Sequence, residues 1–218
     1  MISVVVDIDD TLVNIQHRIC SAWNHVLGHE IPQEATESLG SRQILEKFGS
    51  SDEKLWTRFQ RVLFCLEEIG IELLKLDTPI PFAADILQKW STQCTLVYLT
   101  GRPKNMRDLT LSQLEKFGFP MDHTQLVMFR LKDWENVSSM ASLIRARFRT
   151  FSSTAKRHNV VRVVDDTPSF FAVYQKFSVP ERIGLLHAKR YSSQDYFSQG
   201  ATRVVESWKQ LQGDLTKL

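Results

Sequence analysis

The sequence predicts an α/β protein: a parallel sheet flanked by helices, with a mostly helical segment inserted after the first strand. Three observations carry this. Val4-Val5-Val6 is an unbroken β-branched run, as expected of a strand buried on both faces of a parallel sheet. From Phe82 onward, apolar runs of strand length alternate with segments of helical period, implying right-handed crossovers and helices on both faces. Between about residues 15 and 80 that alternation is missing and helical periodicity dominates.

Taken in order, residues 16–28 read as a helix with Ile19, Trp23, Val26 and Leu27 along one side, stopped by Gly28 and Pro32. A shorter helix is expected over 34–48. Residues 51–76 give the clearest helical signal. Ser51 or Asp52 can cap it, Glu53 suits its first turn, and Leu55, Phe59, Val62, Leu63, Leu66, Ile69 and Leu73 fall at helical spacing. Gly70 is a place for it to end or bend, and Thr78-Pro79-Ile80-Pro81 is a stiff extended passage. Then come a helix over 82–90, a strand over 95–99 and a helix over 104–117 ending at Gly118. Strands follow at 126–129, 160–164 and 183–187, with helices at 136–149, 169–176 and 202–211. The expected division is a core of residues 1–14 and 81–218, with 15–80 as the insertion.

Composition narrows the class. The chain has 218 residues, enough for one α/β domain with an insertion, and a formal net charge of +2, too slight to indicate nucleic acid or membrane. The N-terminus lacks the basic and long apolar regions of a signal peptide, and no apolar stretch reaches transmembrane length. Cys20, Cys65 and Cys94 are odd in number and widely spaced, fitting neither a disulfide framework nor a zinc site. Buried free thiols and a cytoplasmic location are expected.

Three strands end in one chemical theme. Val4-Val5-Val6 leads into Asp7 and Asp9, Leu96-Val97-Tyr98-Leu99 into Thr100-Gly101-Arg102, and Val160-Val161-Arg162-Val163-Val164 into Asp165-Asp166. In open α/β sheets ligands sit beyond the carboxyl ends of strands. Carboxylates gathered there resist ionising together, and a divalent cation relieves them most simply. An all-oxygen site favours Mg²⁺, which prefers phosphate oxygens, so the constellation points to phosphoryl transfer.

These residues resemble the haloacid dehalogenase (HAD) superfamily of phosphohydrolases. Asp7-Ile8-Asp9-Asp10-Thr11 is similar to its first motif, Asp-x-Asp-x-Thr at the end of an apolar strand; Thr100 matches its second and Asp165-Asp166 its fourth. The resemblance implies a Rossmann-like, HAD-like core and a helical cap at 15–80. It implies Asp7 as the nucleophile that forms an aspartyl-phosphate, and Asp9 as the acid and later the base. Mg²⁺ would be held by the Asp7 side chain, the Asp9 main-chain carbonyl and Asp165. Thr100, Gly101 and Arg102 would hold the phosphoryl group, with Thr11 and Asp166 in support. Asp10 reads as a solvated spacer.

The family's third motif supplies a Lys or Arg, for which Arg130, Lys132, Arg145 and Lys156 are candidates; Lys132, just after the strand at 126–129, is favoured. Arg102 could instead cap the following helix. Asn14, His17 and Arg18 stand where the chain enters the insertion, with substrate contact and a structural role both open. The run Arg145, Arg147, Arg149, Lys156, Arg157 reads as a solvated helix face, which makes nucleic acid an unlikely partner.

The expected function is a cytoplasmic Mg²⁺-dependent phosphatase acting on a small phosphorylated metabolite. The alternatives are a phosphatase of nucleotide or nucleic-acid ends, a sugar phosphomutase, or a degenerate HAD fold used for binding.

Overall fold

The computed structural model describes residues 1–130, 139–187 and 189–213. β1 (Ile2–Asp7) opens the chain. The short strands β2 (Val13–Asn14) and β3 (Thr78–Pro79) bracket five helices: α1 (Gln16–Leu27), α2 (Gln33–Ser38), α3 (Ser41–Phe48), α4 (Glu53–Leu63) and α5 (Glu68–Leu73). Next come α6 (Ala83–Ser91), β4 (Thr95–Pro103), α7 (Arg107–Lys116), β5 (Gln125–Phe129) and α8 (Met140–Ala155). The chain continues with β6 (Asn159–Asp165), α9 (Phe171–Lys176), β7 (Glu181–Leu185), α10 (Ser193–Ser198) and β8 (Arg203–Val205). It divides into two compact units. One holds Met1–Leu12, Pro79–His187 and the residues from Tyr191 on; the other holds Val13–Thr78 with Lys189 and Arg190.

In the first unit, six described strands form a sheet in the order β5-β4-β1-β6-β7-β8, every neighbouring pair parallel. β1 is central, and Val4, Val5 and Val6 are fully buried, as their unbroken apolar run requires. From β1 the order runs to β4 and β5 on one side, then to β6, β7 and β8 on the other. With right-handed crossovers, α7 and α8 therefore cover opposite faces. The carboxyl ends of β1, β4 and β6 lie at the point where the order reverses, the place where such sheets bind ligands. Register brings the motifs together: Asp7 pairs with Leu99 and Val6 with Val164, so Asp7, Thr100 and Asp165 end side by side.

Val5, Val97, Leu99 and Val163 pack against Phe151 of α8 and Phe171 and Tyr174 of α9. Trp208 packs on Trp90 and donates its indole N–H to Thr11 O at 2.7 Å, fastening the turn after β1. Gly184 in β7 has no room for a side chain, because a Cβ there would lie 2.4 Å from the Tyr196 ring.

The helical unit has its own core. Trp23 stacks on Phe59 with ring centroids 4.0 Å apart, and Trp56 leans on both. Arg18 is buried; its Nε pairs with Asp77 at 2.9 Å and its Nη1 donates to Leu63 O. Asn14 Oδ1 accepts from Gln16 N at the start of α1, and His17 is exposed. The structure thus gives Arg18 and Asn14 structural work.

Several elements differ from expectation. The continuous helix over 51–76 is broken into α4, α5 and a 3₁₀ turn, Leu74–Leu76. Cys65, with φ 55°, ends α4 in a left-handed conformation; Leu66 N reaches back to Arg61 O and Cys65 N to Val62 O. Gly70 allows α5 to press against that end, since a Cβ there would meet Val62 O at 2.0 Å. The helix expected over 202–211 is β8 followed by a 3₁₀ turn, Trp208–Leu211: Arg203–Val205 gain a hydrogen-bonding partner in β7. Of the helix expected at 136–149, residues 136–138 lie outside the described residues and α8 runs from Met140 on to Ala155; α10 was not foreseen, and Ser192 and Asp195 cap it reciprocally. Among the described residues, no helix is long and apolar enough to cross a membrane. All three cysteines are free.

Candidate active site

The turn after β1 sets the first motif. Ile8 O accepts from Thr11 N and Leu12 N, and Asp10 takes a left-handed backbone with φ 57° to make the turn. Asp10 is buried, which corrects the expectation of a solvated spacer. Thr11 is also buried, its hydroxyl 3.5 Å from Asp166 Oδ1, so it ties the first motif to the fourth.

Asp7, Asp165 and Asp166 meet at the ends of β1 and β6. Each offers a carboxylate oxygen within 4.8 Å of the others, and all three are buried. The Asp9 side chain stands outside this cluster, facing β4. Asp165 Oδ1 accepts from Thr167 N at 2.8 Å, and Oδ2 accepts from the Tyr174 hydroxyl.

The counter-charge is Arg147, on α8. Its Nη2 lies 2.5 Å from Asp7 Oδ1 and 3.6 Å from Asp165 Oδ2, and its Nη1 donates to Leu99 O. The guanidinium lies over the Phe170 ring, 4.3 Å from its centroid. Its Nε–H is buried and finds no acceptor among the described residues. Burial pushes the Asp7 carboxyl well above the ordinary range; Arg147 opposes this and the charge of Asp165 adds to it. Burial raises Asp165 too, against the pull of Arg147, Tyr174 and the Thr167 N–H. Buried acids held this way are relieved by a cation, and an all-oxygen donor set suits a hard one such as Mg²⁺.

Asp9 is gripped from the side. Arg102 is buried, and its Nε lies 2.9 and 3.1 Å from the two Asp9 oxygens, with Nη2 at 2.7 Å. Gln113 Oε1 and Thr110 Oγ1 accept from Arg102 Nη1, fixing the guanidinium from α7. The Thr100 hydroxyl lies 3.4 Å from Asp9 Oδ2 and accepts from Arg102 N. Arg102 was expected to hold phosphate or to cap a helix; here it is the partner of Asp9.

Of the residues considered for the third motif, Lys132 lies outside the described residues. Arg130, Arg145 and Lys156 are exposed. The guanidinium at the acids belongs to Arg147, which sequence reasoning placed in the basic run. One signal was available: Leu143, Arg147 and Phe151 recur at four-residue steps, putting an arginine on the apolar stripe of a helix.

No family model matches the chain. A Bacillus cereus protein named "Putative nucleotidase" is 29% identical over 135 residues, which span 60% of this chain and 66% of that protein. The chain therefore matches a little under two thirds of that relative's length. Among solved structures, a "predicted phosphatase" from Clostridium acetobutylicum is similar with a TM-score of 0.69 at 15% identity, over 100% of this chain and 99% of the other. A HAD family hydrolase from Deinococcus radiodurans, solved with bound phosphate and sodium, is similar with a TM-score of 0.64 at 15% identity, over 96% and 92%. These likenesses give the fold that the strand-end motifs implied, the α/β fold of the HAD family hydrolases.

Proposed function

We propose that the chain is a Mg²⁺-dependent phosphatase that hydrolyses a small phosphomonoester through an aspartyl-phosphate on Asp7. The observation that carries this reading is the buried meeting of Asp7, Asp165 and Asp166 with the single guanidinium of Arg147. A carboxylate attacks phosphorus only if the repulsion between anions is offset, and Arg147 supplies that offset within the fold.

On this reading an Asp7 oxygen attacks phosphorus while the bond to the leaving alcohol breaks, and Asp9 gives its proton to the departing oxygen. Asp9 then accepts a proton from water as that water displaces Asp7 from phosphorus, releasing inorganic phosphate. Thr100 and the backbone N–H groups after it hold the phosphoryl oxygens. Arg102 parks the Asp9 side chain at the edge of the sheet, beside Thr100, as a carboxylate. To act as the acid, Asp9 must leave this pair and take up a proton from water before it turns to the leaving oxygen. Asp7, the Asp9 main-chain carbonyl and Asp165 would hold Mg²⁺, with Asp166 in support; when bound, the ion would supply charge neutralisation for the phosphoryl group. The helical unit at 13–78 is read as the cap that selects the substrate.

Nucleoside monophosphates are the first substrates to try, on the name of the Bacillus cereus relative. The test is phosphate release from a panel of phosphorylated metabolites with Mg²⁺, for the wild type and Asp7→Asn. Loss of at least about 10³-fold in turnover in the variant supports the reading. Unchanged turnover removes Asp7 from its role, and transfer of the phosphoryl group to a second hydroxyl would show a mutase.

A further inference from the structure

Away from the acids, a groove of about 640 Å³ runs over the edge strand β5. Its floor is Gln125–Met128, and its walls carry Lys104, Arg107, Arg130, Arg149 and Arg157, all exposed. Among the described residues, no acidic side chain lines it. Lys104 comes from the 3₁₀ turn before α7 and Arg107 from the start of α7, Arg130 follows β5, and Arg149 and Arg157 come from α8 and the turn beyond it. Because α7 and α8 cover opposite faces, the cations straddle the edge of the sheet.

Arg107 and Arg157 are anchored within the groove. Arg107 Nη1 donates to Leu126 O on the strand edge, and Arg157 Nε donates to Ser153 O at 3.0 Å. A guanidinium has five N–H donors, so one anchoring bond fixes its direction and leaves others for a ligand.

The groove changes the meaning of the basic run. From Met140 to Arg157 the chain carries five cations and no acid. The whole chain has 27 basic and 25 acidic residues, so without this stretch the counts are 22 and 25. Positive charge is therefore concentrated here against an otherwise acidic background. A solvated helix face does not account for it: Arg147 turns inward to Asp7, while Arg149 and Arg157 join cations from two other elements. Nor does protection of a sheet edge from unwanted pairing, which needs charge on the strand itself.

Small-molecule sites are mostly apolar with a few polar groups, and they enclose their ligand. This groove is lined by cations and open along a strand. That composition fits an extended chain of phosphates. Among the described residues no aromatic side chain lines it to stack a base, so recognition there would rest on the backbone.

We propose that the groove over β5 binds single-stranded nucleic acid through its phosphate backbone, without sequence preference. The inference is independent of the phosphatase reading and reverses the expectation that nucleic acid is an unlikely partner.

The test is fluorescence anisotropy with labelled oligothymidylate of about 20 nucleotides, long enough for a single-strand site. If all five cations meet phosphates, log K falls with log salt at a slope of about −3.5, which is about 10²-fold between about 50 and 200 mM salt. Arg149→Glu with Arg157→Glu should weaken binding by about tenfold or more and flatten that slope. The milder pair Arg149→Gln with Arg157→Gln should fall between. Melting temperature and phosphatase activity should be unchanged in both, since neither residue touches the acids. No binding at the lower salt, equal affinity in the charge-reversed variant, or a nucleoside triphosphate bound as tightly as the oligonucleotide would each overturn the proposal.

Discussion

Arg147 Nη2 lies 2.5 Å from Asp7 Oδ1 and 3.6 Å from Asp165 Oδ2, so one guanidinium serves the ends of both β1 and β6. The contact joins residues 140 positions apart in the chain and is almost wholly buried. Removing one partner of such a group leaves charge uncompensated in a medium that solvates it poorly.

Arg147→Met should therefore cost about 3–5 kcal/mol in metal-free protein. Urea unfolding with a chelator present measures this, and saturating Mg²⁺ should restore part of the loss by binding only the folded state. Arg147→Lys keeps the charge and should cost less. A variant as stable as the wild type without metal would show that the guanidinium is not what balances the acids.

Arg102→Gln should lower kcat by about 10²-fold, the size of a general acid–base contribution, with a smaller effect on KM. Asp9→Asn should lose at least as much. The double variant should be no worse than Asp9→Asn alone, because both changes strike one unit. Steady-state kinetics of the three proteins decides the matter; additive losses would mean that Arg102 acts elsewhere.

Gly184→Ala tests the support behind the fourth motif. The new Cβ would lie 2.4 Å from the ring of Tyr196, whose hydroxyl donates to Asp166 O and Leu185 O. Overpacking should cost about 1–3 kcal/mol. The displaced tyrosine should also weaken Mg²⁺ binding, read by calorimetry. Unchanged metal affinity at reduced stability would separate the two effects.

The cysteines provide a pH-dependent test. Burial pushes the Cys94 thiol from its ordinary 9.0 up to about 11, and burial raises Cys20 as well. An acid whose pKa is raised by folding favours the neutral form in the folded state. Its stabilisation is thus fully present below pH 9 and lost as pH climbs toward about 11. Thiol labelling at neutral pH should find half-buried Cys65 first, with Cys20 and Cys94 reacting only on unfolding. Three thiols reacting at one rate would contradict this.

Much of the core was legible because its signals are local. Val4–Val6, Leu96–Leu99 and Val160–Val164 are apolar runs that no other element explains, and each ends in the polar residues found at the site. β8 was missed because Arg203-Val204-Val205 is strand only by virtue of its neighbour β7. The break after α4 was missed because Cys65 takes the left-handed turn where a glycine would have marked it. Asp10 was misjudged for a related reason, since a buried acid with positive φ leaves no compositional trace. Arg147 and Arg102 were visible as residues but not as partners. Their partners lie 140 and 93 positions away, and only the packing of α8 on the sheet and the register of β4 beside β1 bring them together.

The central claim is covalent chemistry at Asp7. The direct measurement is acid quench of wild-type protein turning over an aryl phosphate with Mg²⁺, followed by borohydride reduction and peptide mass spectrometry. The account predicts homoserine at position 7, the reduction product of an aspartyl-phosphate, and none in Asp7→Asn. Turnover with no modified residue, or modification at another acid such as Asp9 or Asp165, would contradict it.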